Sequence, residues 1–411
     1  MNNRYFRNHF IFIMLLFAFN LNVFAEIVDV TSDKYILYNM NETEILSEKN
    51  SHEKAYVASL TKIMTVLVAI ENIDDYTKKV TISNDMLRNI EWDVSVVGFK
   101  VGQTVTYDDL LYGTMLESGA DAVNGLAYSI SGSEKKFVEL MNSKAKEIGL
   151  SETHFANPVG LFDVNNYSSA SDMAKLLIFA LKNEKFKEVF TAKDYNYSIG
   201  GKASSTLSKY NKNSGFDISN ITGSKTGYIN AAGYCLASTA TINNVDYLLI
   251  TLNAMNGIST SHIKDSLSIY NYFANNYEYK NLVDYDDVIT TIKVKGSKER
   301  KIDVKSNEKV DDYLKKSFNK KDLKYVYDGV DEITIFTPLK TELGNVKIMY
   351  NDKVLDSFKL IYNEKAHFGL FGFIWDYKFI LLILGFVFYC LYRVCKIRKI
   401  RARRKRKNMS R

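Results

Sequence analysis

Ser59 and Lys62 lie three residues apart, at the start of a run with apolar side chains at Leu60, Ile63, Met64, Leu67 and Val68. That run has the i, i+3, i+4, i+7, i+8 spacing of a buried helix, which stacks the serine and the lysine on one face, one turn apart. An amine so placed takes the proton of the serine hydroxyl once burial or a second cation lowers its pKa. The chemistry this suits is nucleophilic acyl transfer with no histidine. Ser-x-x-Lys alone is a weak signal. It recurs elsewhere, as at Ser51, Ser133, Ser143, Ser261 and Ser317, in polar, lysine-rich stretches that read as solvated faces. A plain N-cap serine is the alternative reading of Ser59.

Lys225-Thr226-Gly227 gives the pair its context, and Lys-Thr-Gly occurs once in the chain. Downstream, the β-rich runs 232–241 and 245–252 flank Asn243-Asn244. Two such runs around a two-residue turn predict a hairpin. Lys225 and Thr226 are then expected on a strand facing a cleft, with Lys225 as the second cation near Lys62. Gly227 would let a substrate backbone approach closely.

Together these residues resemble the penicillin-binding D-alanyl-D-alanine carboxypeptidases of low molecular mass, serine peptidases with Ser-x-x-Lys. Further segments in the same order strengthen the resemblance. They are Glu117-Ser118-Gly119-Ala120-Asp121-Ala122, Thr153-His154-Phe155-Ala156-Asn157-Pro158-Val159-Gly160-Leu161, Tyr167-Ser168-Ser169-Ala170-Ser171-Asp172, and Ala232-Gly233-Tyr234 after Lys-Thr-Gly. The resemblance implies Ser59 as nucleophile, Lys62 as general base and Ser118 as proton relay. It implies that Lys225, Thr226, Gly227 and Tyr228 bind substrate, with the backbone N–H groups of Ser59 and Tyr228 as oxyanion hole. The implied activity removes the terminal D-Ala of the peptidoglycan pentapeptide, with β-lactams as covalent inhibitors. The implied fold is α+β: a β-lactamase/transpeptidase-like antiparallel sheet flanked by helices, then a small all-β stem domain and a C-terminal membrane helix.

Three positions depart from the family pattern. Ala120 stands where an Asn is usual, and Asn124, one helical turn later, is the candidate substitute. Asn166 replaces a common His. His262 stands where an Arg often opens the helix after the hairpin. The Ala120 departure suggests a second function, a catalytically impaired penicillin-binding or wall-binding sensor. A class A β-lactamase shares Ser-x-x-Lys and Lys-Thr-Gly, but no E-x-x-L-N element supplies a deacylating carboxylate.

The elements that must position these residues follow from patterning. Asp109 to Leu116 reads as a helix leading into Ser118. Lys135–Ile148, Ser171–Leu181 and Ser261–Tyr277 read as further amphipathic helices. After Val283 the chain alternates, at Ile289–Lys295, Lys301–Val304, Glu332–Phe336, Val346–Tyr350 and Leu355–Ile361, which predicts a small all-β domain. Pro338 to Gly344 resembles a turn of the family's stem.

The ends of the chain differ from the body. Residues 1–25 read as a signal peptide: Arg4 and Arg7, an apolar core from Phe10 to Phe19, and a cleavage site after Val23-Phe24-Ala25. Phe379 to Tyr392 is uncharged, and Lys378 and Arg393 can snorkel from its ends. The eleven Lys and Arg from Arg393 to Arg411 outweigh the whole net charge of +7, so the body is mildly acidic and has no global pull on nucleic acid. Next to an apolar run, the basic tail reads as a positive-inside anchor.

The expected organisation is therefore 1–25 signal peptide, 26–278 serine carboxypeptidase domain, 283–363 stem, 375–395 transmembrane anchor and 396–411 cytoplasmic tail, with the body outside the cell. Cys235, Cys390 and Cys395 cannot staple the ectodomain, because only Cys235 lies in it. The five histidines form no H-E-x-x-H spacing, and neither a metal nor a cofactor is expected.

Overall fold

A computed structural model describes residues 28–408, apart from Asn89, Asn213 and Asn256. The expected signal peptide lies outside the described residues. The chain divides into two compact units, one ending at Asn275 and one beginning at Asn276.

The first unit is built on a five-stranded antiparallel sheet. Its order is Glu44–Lys49, Ser32–Asn39, Val245–Ala254, Gly233–Ile242 and Ile221–Ile229. The last strand, which carries Lys225, is therefore an edge. The predicted hairpin is present, and Asn243 and Asn244 both adopt positive φ, 53° and 63°. Asparagine tolerates that conformation, and two such residues make the turn whose twist matches a hairpin. Strand alternation sorts the side chains by face. Cys235 and Ala237 join the main core, whereas Leu236 packs with Ile263 of helix Ser261–Asn276.

A helical block between strands Glu44–Lys49 and Ile221–Ile229 in the chain supplies the other face. Helix Lys62–Glu71 is buried along nearly its whole length, so it sits at the centre of the unit. Helices Tyr107–Leu116, Ala120–Ser131, Glu134–Ile148 and Ala170–Ala180 surround it. Thr106, Ser133 and Ser169 cap three of them through their hydroxyls. Each cap satisfies a backbone N–H left free at a helix start.

The second unit begins with a long β region. Tyr277–Val283 pairs with Val310–Lys315. Lys301–Lys305, Val288–Lys295 and Glu332–Thr334 form one three-stranded sheet, and Leu323–Gly329, Glu342–Tyr350 and Lys353–Ile361 another. It is not a simple meander, because Val288–Lys295 and Glu332–Thr334 run parallel. Its core gathers Leu282, Val294, Val346, Ile348 and Leu360. The unit ends in a 39-residue helix, Leu370–Asn408. Residues Leu370–Arg403 are long and apolar enough to cross a membrane. The helix thus extends well past the uncharged run on both sides.

Candidate active site

Ser59 lies on a short 3-10 helix, Ala58–Thr61, that runs into the α-helix opening at Lys62. The expectation that the serine sits on the α-helix itself is corrected by one turn. The tighter turn brings the pair together, with Lys62 Nζ 3.0 Å from Ser59 Oγ. Ser59 is not the N-cap, a position held by Val57 with no side-chain cap. Lys62 Nζ also donates to the carbonyl of Val159 at 2.6 Å. Across the cleft, Lys225 Nζ lies 3.2 Å from Ser118 Oγ and donates to the carbonyl of Thr226 at 3.0 Å. The Thr226 hydroxyl meets that of Thr206 at 2.7 Å.

Both lysines are essentially inaccessible, 1% and 0% exposed, and their hydrogen bonds go to hydroxyls and carbonyls rather than to carboxylates. Burial without a counter-charge disfavours the ammonium form. Burial, seconded by repulsion from Lys225, holds Lys62 well below the usual lysine value. Burial alone brings Lys225 down to about 7. Burial thus favours the free-amine form of Lys62 beside a hydroxyl, the form a general base for Ser59 needs.

Ser118 occupies the bend between two helices with φ +59°, a left-handed conformation uncommon for a non-glycine residue. Asp121 just beyond it accepts the N–H groups of Val97, Gly98 and Phe99, which ties that loop to the start of helix Ala120–Ser131. Gly227 is buried against the turn that carries Ser59. A Cβ on it would lie 3.1 Å from the Ser59 nitrogen. The Ser59 amide and the edge strand at 227–228 thus converge, as two oxyanion donors require. Tyr228 is half exposed and stacks on Tyr234 at 4.4 Å between centroids.

The sequence marks Asn157 to Gly160 only through the family resemblance, and the structure shows what they do. Asn157 Oδ1 accepts the N–H groups of Gly160 and Leu161 and folds the loop. The loop then presents the Pro158 carbonyl to Thr65 at 2.6 Å and the Val159 carbonyl to Lys62. Gly160 has φ +87°, and a Cβ there would fall 2.0 Å from the Ala58 carbonyl oxygen. No other residue fits. Glycine flanked by a carbonyl-presenting turn was the available signal.

The three departures also resolve. Ala120 packs with Val123 and Val159 in a small apolar cluster. Asn124 does not replace the missing amide, because its Nδ2 donates to the Met86 carbonyl instead. Asn166 is structural, accepting the Ala156 N–H and donating to the Leu161 carbonyl. His262 is fully buried, stacked 5.4 Å from Tyr234 and edge-on to Tyr210. Burial pushes its pKa down to about 4, so it brings no positive charge to the cleft at neutral pH.

The family model for D-alanyl-D-alanine carboxypeptidase matches residues 22–256. This chain belongs to that family. The D-alanyl-D-alanine carboxypeptidase DacF of Bacillus subtilis (strain 168) is 32% identical over 78% of this chain and 82% of its own length. DacA of Haemophilus influenzae is 29% identical over 85% of this chain and 88% of its own. Among solved structures, penicillin binding protein 5 from Haemophilus influenzae superposes with a TM-score of 0.61 at 25% identity. It covers 82% of this chain and 98% of its own. The fold is thus that of the low-molecular-mass penicillin-binding proteins. The 82% covered is more of the chain than the first unit holds, so the likeness reaches into the second.

Proposed function

We propose that this chain is a serine-type D-Ala-D-Ala carboxypeptidase that trims the peptidoglycan pentapeptide during cell-wall maturation. The observation that carries the reading is the buried, uncompensated Lys62 amine 3.0 Å from Ser59 Oγ. Family membership supplies the substrate class. Ser59 Oγ attacks the carbonyl carbon of the penultimate D-Ala while Lys62 takes its proton. The oxyanion is held by the Ser59 and Tyr228 N–H groups. The C–N bond then breaks. The leaving D-Ala nitrogen receives a proton through Ser118, and an ester remains on Ser59. Water, losing a proton to Lys62, hydrolyses that ester and frees the serine. Lys225 and Thr226 hold the substrate carboxylate, and the peptide adds to the free edge of strand Ile221–Ile229.

The alternative of a disabled penicillin-binding sensor is not favoured. Apolar packing of Ala120 leaves the contacts of Ser59, Lys62, Ser118 and Lys225 intact. The localisation follows from the ends of the chain. Residues 1–25 direct export, Leu370–Arg403 anchors the protein in the membrane, and the basic tail stays in the cytoplasm. The 283–363 β domain serves as the stem. The test is intact mass of the detergent-solubilised full chain after exposure to benzylpenicillin, followed by D-Ala release from a Lys-D-Ala-D-Ala peptide. A one-to-one adduct, absent from Ser59→Ala, together with D-Ala release supports the proposal. An adduct without release points to the sensor.

A further inference from the structure

The uncharged run 379–392 is short for a membrane. It makes about 21 Å of helix at about 1.5 Å per residue, against about 30 Å of hydrocarbon. Extension on the tail side meets Arg393, Lys396, Arg398 and Lys399. On the stem side, residues 370–378 carry only Asp376 and Lys378 as charges, among Phe371, Phe373, Ile374 and Trp375. Arg300 holds Asp376 at 2.8 Å, and the Gly296 N–H donates to it at 2.9 Å, which offsets its charge. Lys378 lies 4.3 Å from the Trp375 ring centroid, and its methylenes can carry the amine back to water. The lipid boundary therefore moves up these two turns, toward the stem.

Those turns are packed on the β strands. The Gly369 N–H donates to the Gly296 carbonyl at 3.1 Å. Gly296 has φ +78°, and a Cβ on it would lie 3.2 Å from the Phe373 ring and 3.3 Å from that of Tyr377. The bare turn is what lets both rings approach. Phe336, on the loop after strand Glu332–Thr334, lies against the same rings, 6.2 and 6.5 Å between centroids. Tyr377 is two residues before the uncharged run, about 3 Å along the axis. The loop 335–339 thus stands at the depth where lipid begins.

Its surface suits that depth. Phe336 is 69% exposed and Leu339 49%, continuous with Phe371 and Trp375 on the helix at 89% and 66%. Bare aromatic rings beside an apolar span fit the interfacial layer. Lys298, Lys340 and Lys378 are exposed around the patch and pair with no carboxylate among the described residues. Such cations suit the phosphates of anionic headgroups. We infer that the loop 335–339 is a second membrane contact. It enters the headgroup layer beside the helix, with Phe336 and Leu339 against lipid and the three lysines against phosphate. The stem and the anchor then meet the bilayer as one body. The inference rests on the reading of Leu370–Arg403 as a membrane anchor.

The experiment uses the full chain in vesicles of phosphatidylcholine and phosphatidylglycerol. Trp92→Phe and Trp375→Phe remove the two native indoles. In that background Phe336→Trp places one indole in the loop, and Phe386→Trp places one in the middle of the uncharged run. Leu339→Trp repeats the loop reading at a second exposed position, so that a disturbed Phe336→Trp variant does not decide the result. Lipid brominated near the headgroup end of its acyl chain is expected to quench both loop indoles. Lipid brominated near the methyl end should quench the indole at 386. Quenching at 386, with both loop indoles unquenched by either lipid and open to acrylamide, overturns the loop contact alone. No quenching at any of the three positions overturns the anchor reading and the loop contact with it.

Discussion

The two units treat charge in opposite ways. In the sheet-and-helix unit, Lys62 and Lys225 are buried, close together and without carboxylate partners. In the β region, Lys295–Glu332, Lys320–Asp287 and Lys359–Glu342 sit at the surface as ordinary pairs. Burying an ammonium costs stability, and pairing one in water contributes little either way. The first arrangement is the one that the proposed chemistry, which needs a neutral amine, would require. The second leaves both charges of each pair in contact with water. Substitutions should therefore separate the units by what they change, activity in one and neither activity nor stability in the other.

The largest effect should come from the catalytic pair. Ser59→Ala should abolish the penicillin adduct. Lys62→Ala should lower the acylation rate constant by about 10⁴-fold or more, as expected for groups that act as a unit. Stopped-flow acylation with mass detection measures both. An acylation rate within tenfold of wild type for Lys62→Ala would remove Lys62 as the base and end the contrast between the units.

Next comes the loop that presents the Val159 carbonyl. Gly160 and Gly200 have the same φ, +87°, but only Gly160 has backbone where a Cβ would go. Gly160→Ala should displace Ala58 and Ser59 and cut acylation by about 10²-fold, since misplacing reacting atoms by about 1 Å has that effect. Gly200→Ala meets open space, so it should only weaken folding, by about 1 kcal/mol, and leave acylation alone. Equal behaviour of the two variants would mean that backbone strain, not the Ala58 contact, explains Gly160.

Much of this site was legible because chemistry fixes residue type and spacing. Ser59, Lys62 and Lys225 could be singled out because acyl transfer needs a nucleophile, an amine and a second cation. The hairpin was legible because Asn243-Asn244 can adopt the positive φ its turn requires. What stayed hidden depends on long-range contact. Strand Ser32–Asn39 joins the sheet beside Val245–Ala254, about two hundred residues away, and nothing local announces that pairing. The 3-10 turn at Ser59 is indistinguishable from an α-helix in the sequence because both carry the same short apolar spacing. Asn124 does not take the role its spacing suggests, because one helical turn sets a face but not a partner, and the Met86 carbonyl accepts its amide.

Lys225 tests the cost of buried charge. Its folded pKa, about 7, lies below the ordinary lysine value of 10.5. Between those values the unfolded chain binds the proton and the folded one does not, so stability should rise as pH climbs from about 7 toward 10. Below 7 both states are protonated and the full penalty applies. Lys225→Met should flatten that slope and stabilise the fold at pH 6 by about 2–4 kcal/mol, given about 1.4 kcal/mol per pKa unit. It should lose D-Ala release at the same time. Denaturant titrations at pH 6 and 9.5 measure it, and an unchanged slope would mean that Lys225 is solvated.

The smallest effect is expected where the charges are most numerous. Lys359 and Glu342 approach to 2.9 Å, with side chains 64% and 51% exposed. Water solvates both partners as well apart as together, and holding two long side chains in one geometry consumes the remaining gain. Lys359→Ala should therefore move the unfolding midpoint by less than about 2 °C and leave acylation unchanged. The strands that carry the pair are held by Val346, Ile348 and Leu360 beneath them, which the substitution does not touch. A drop of more than about 5 °C would show that this surface pair supports the β region. The distinction drawn between the two units would then rest on burial alone and not on how each one uses its charges.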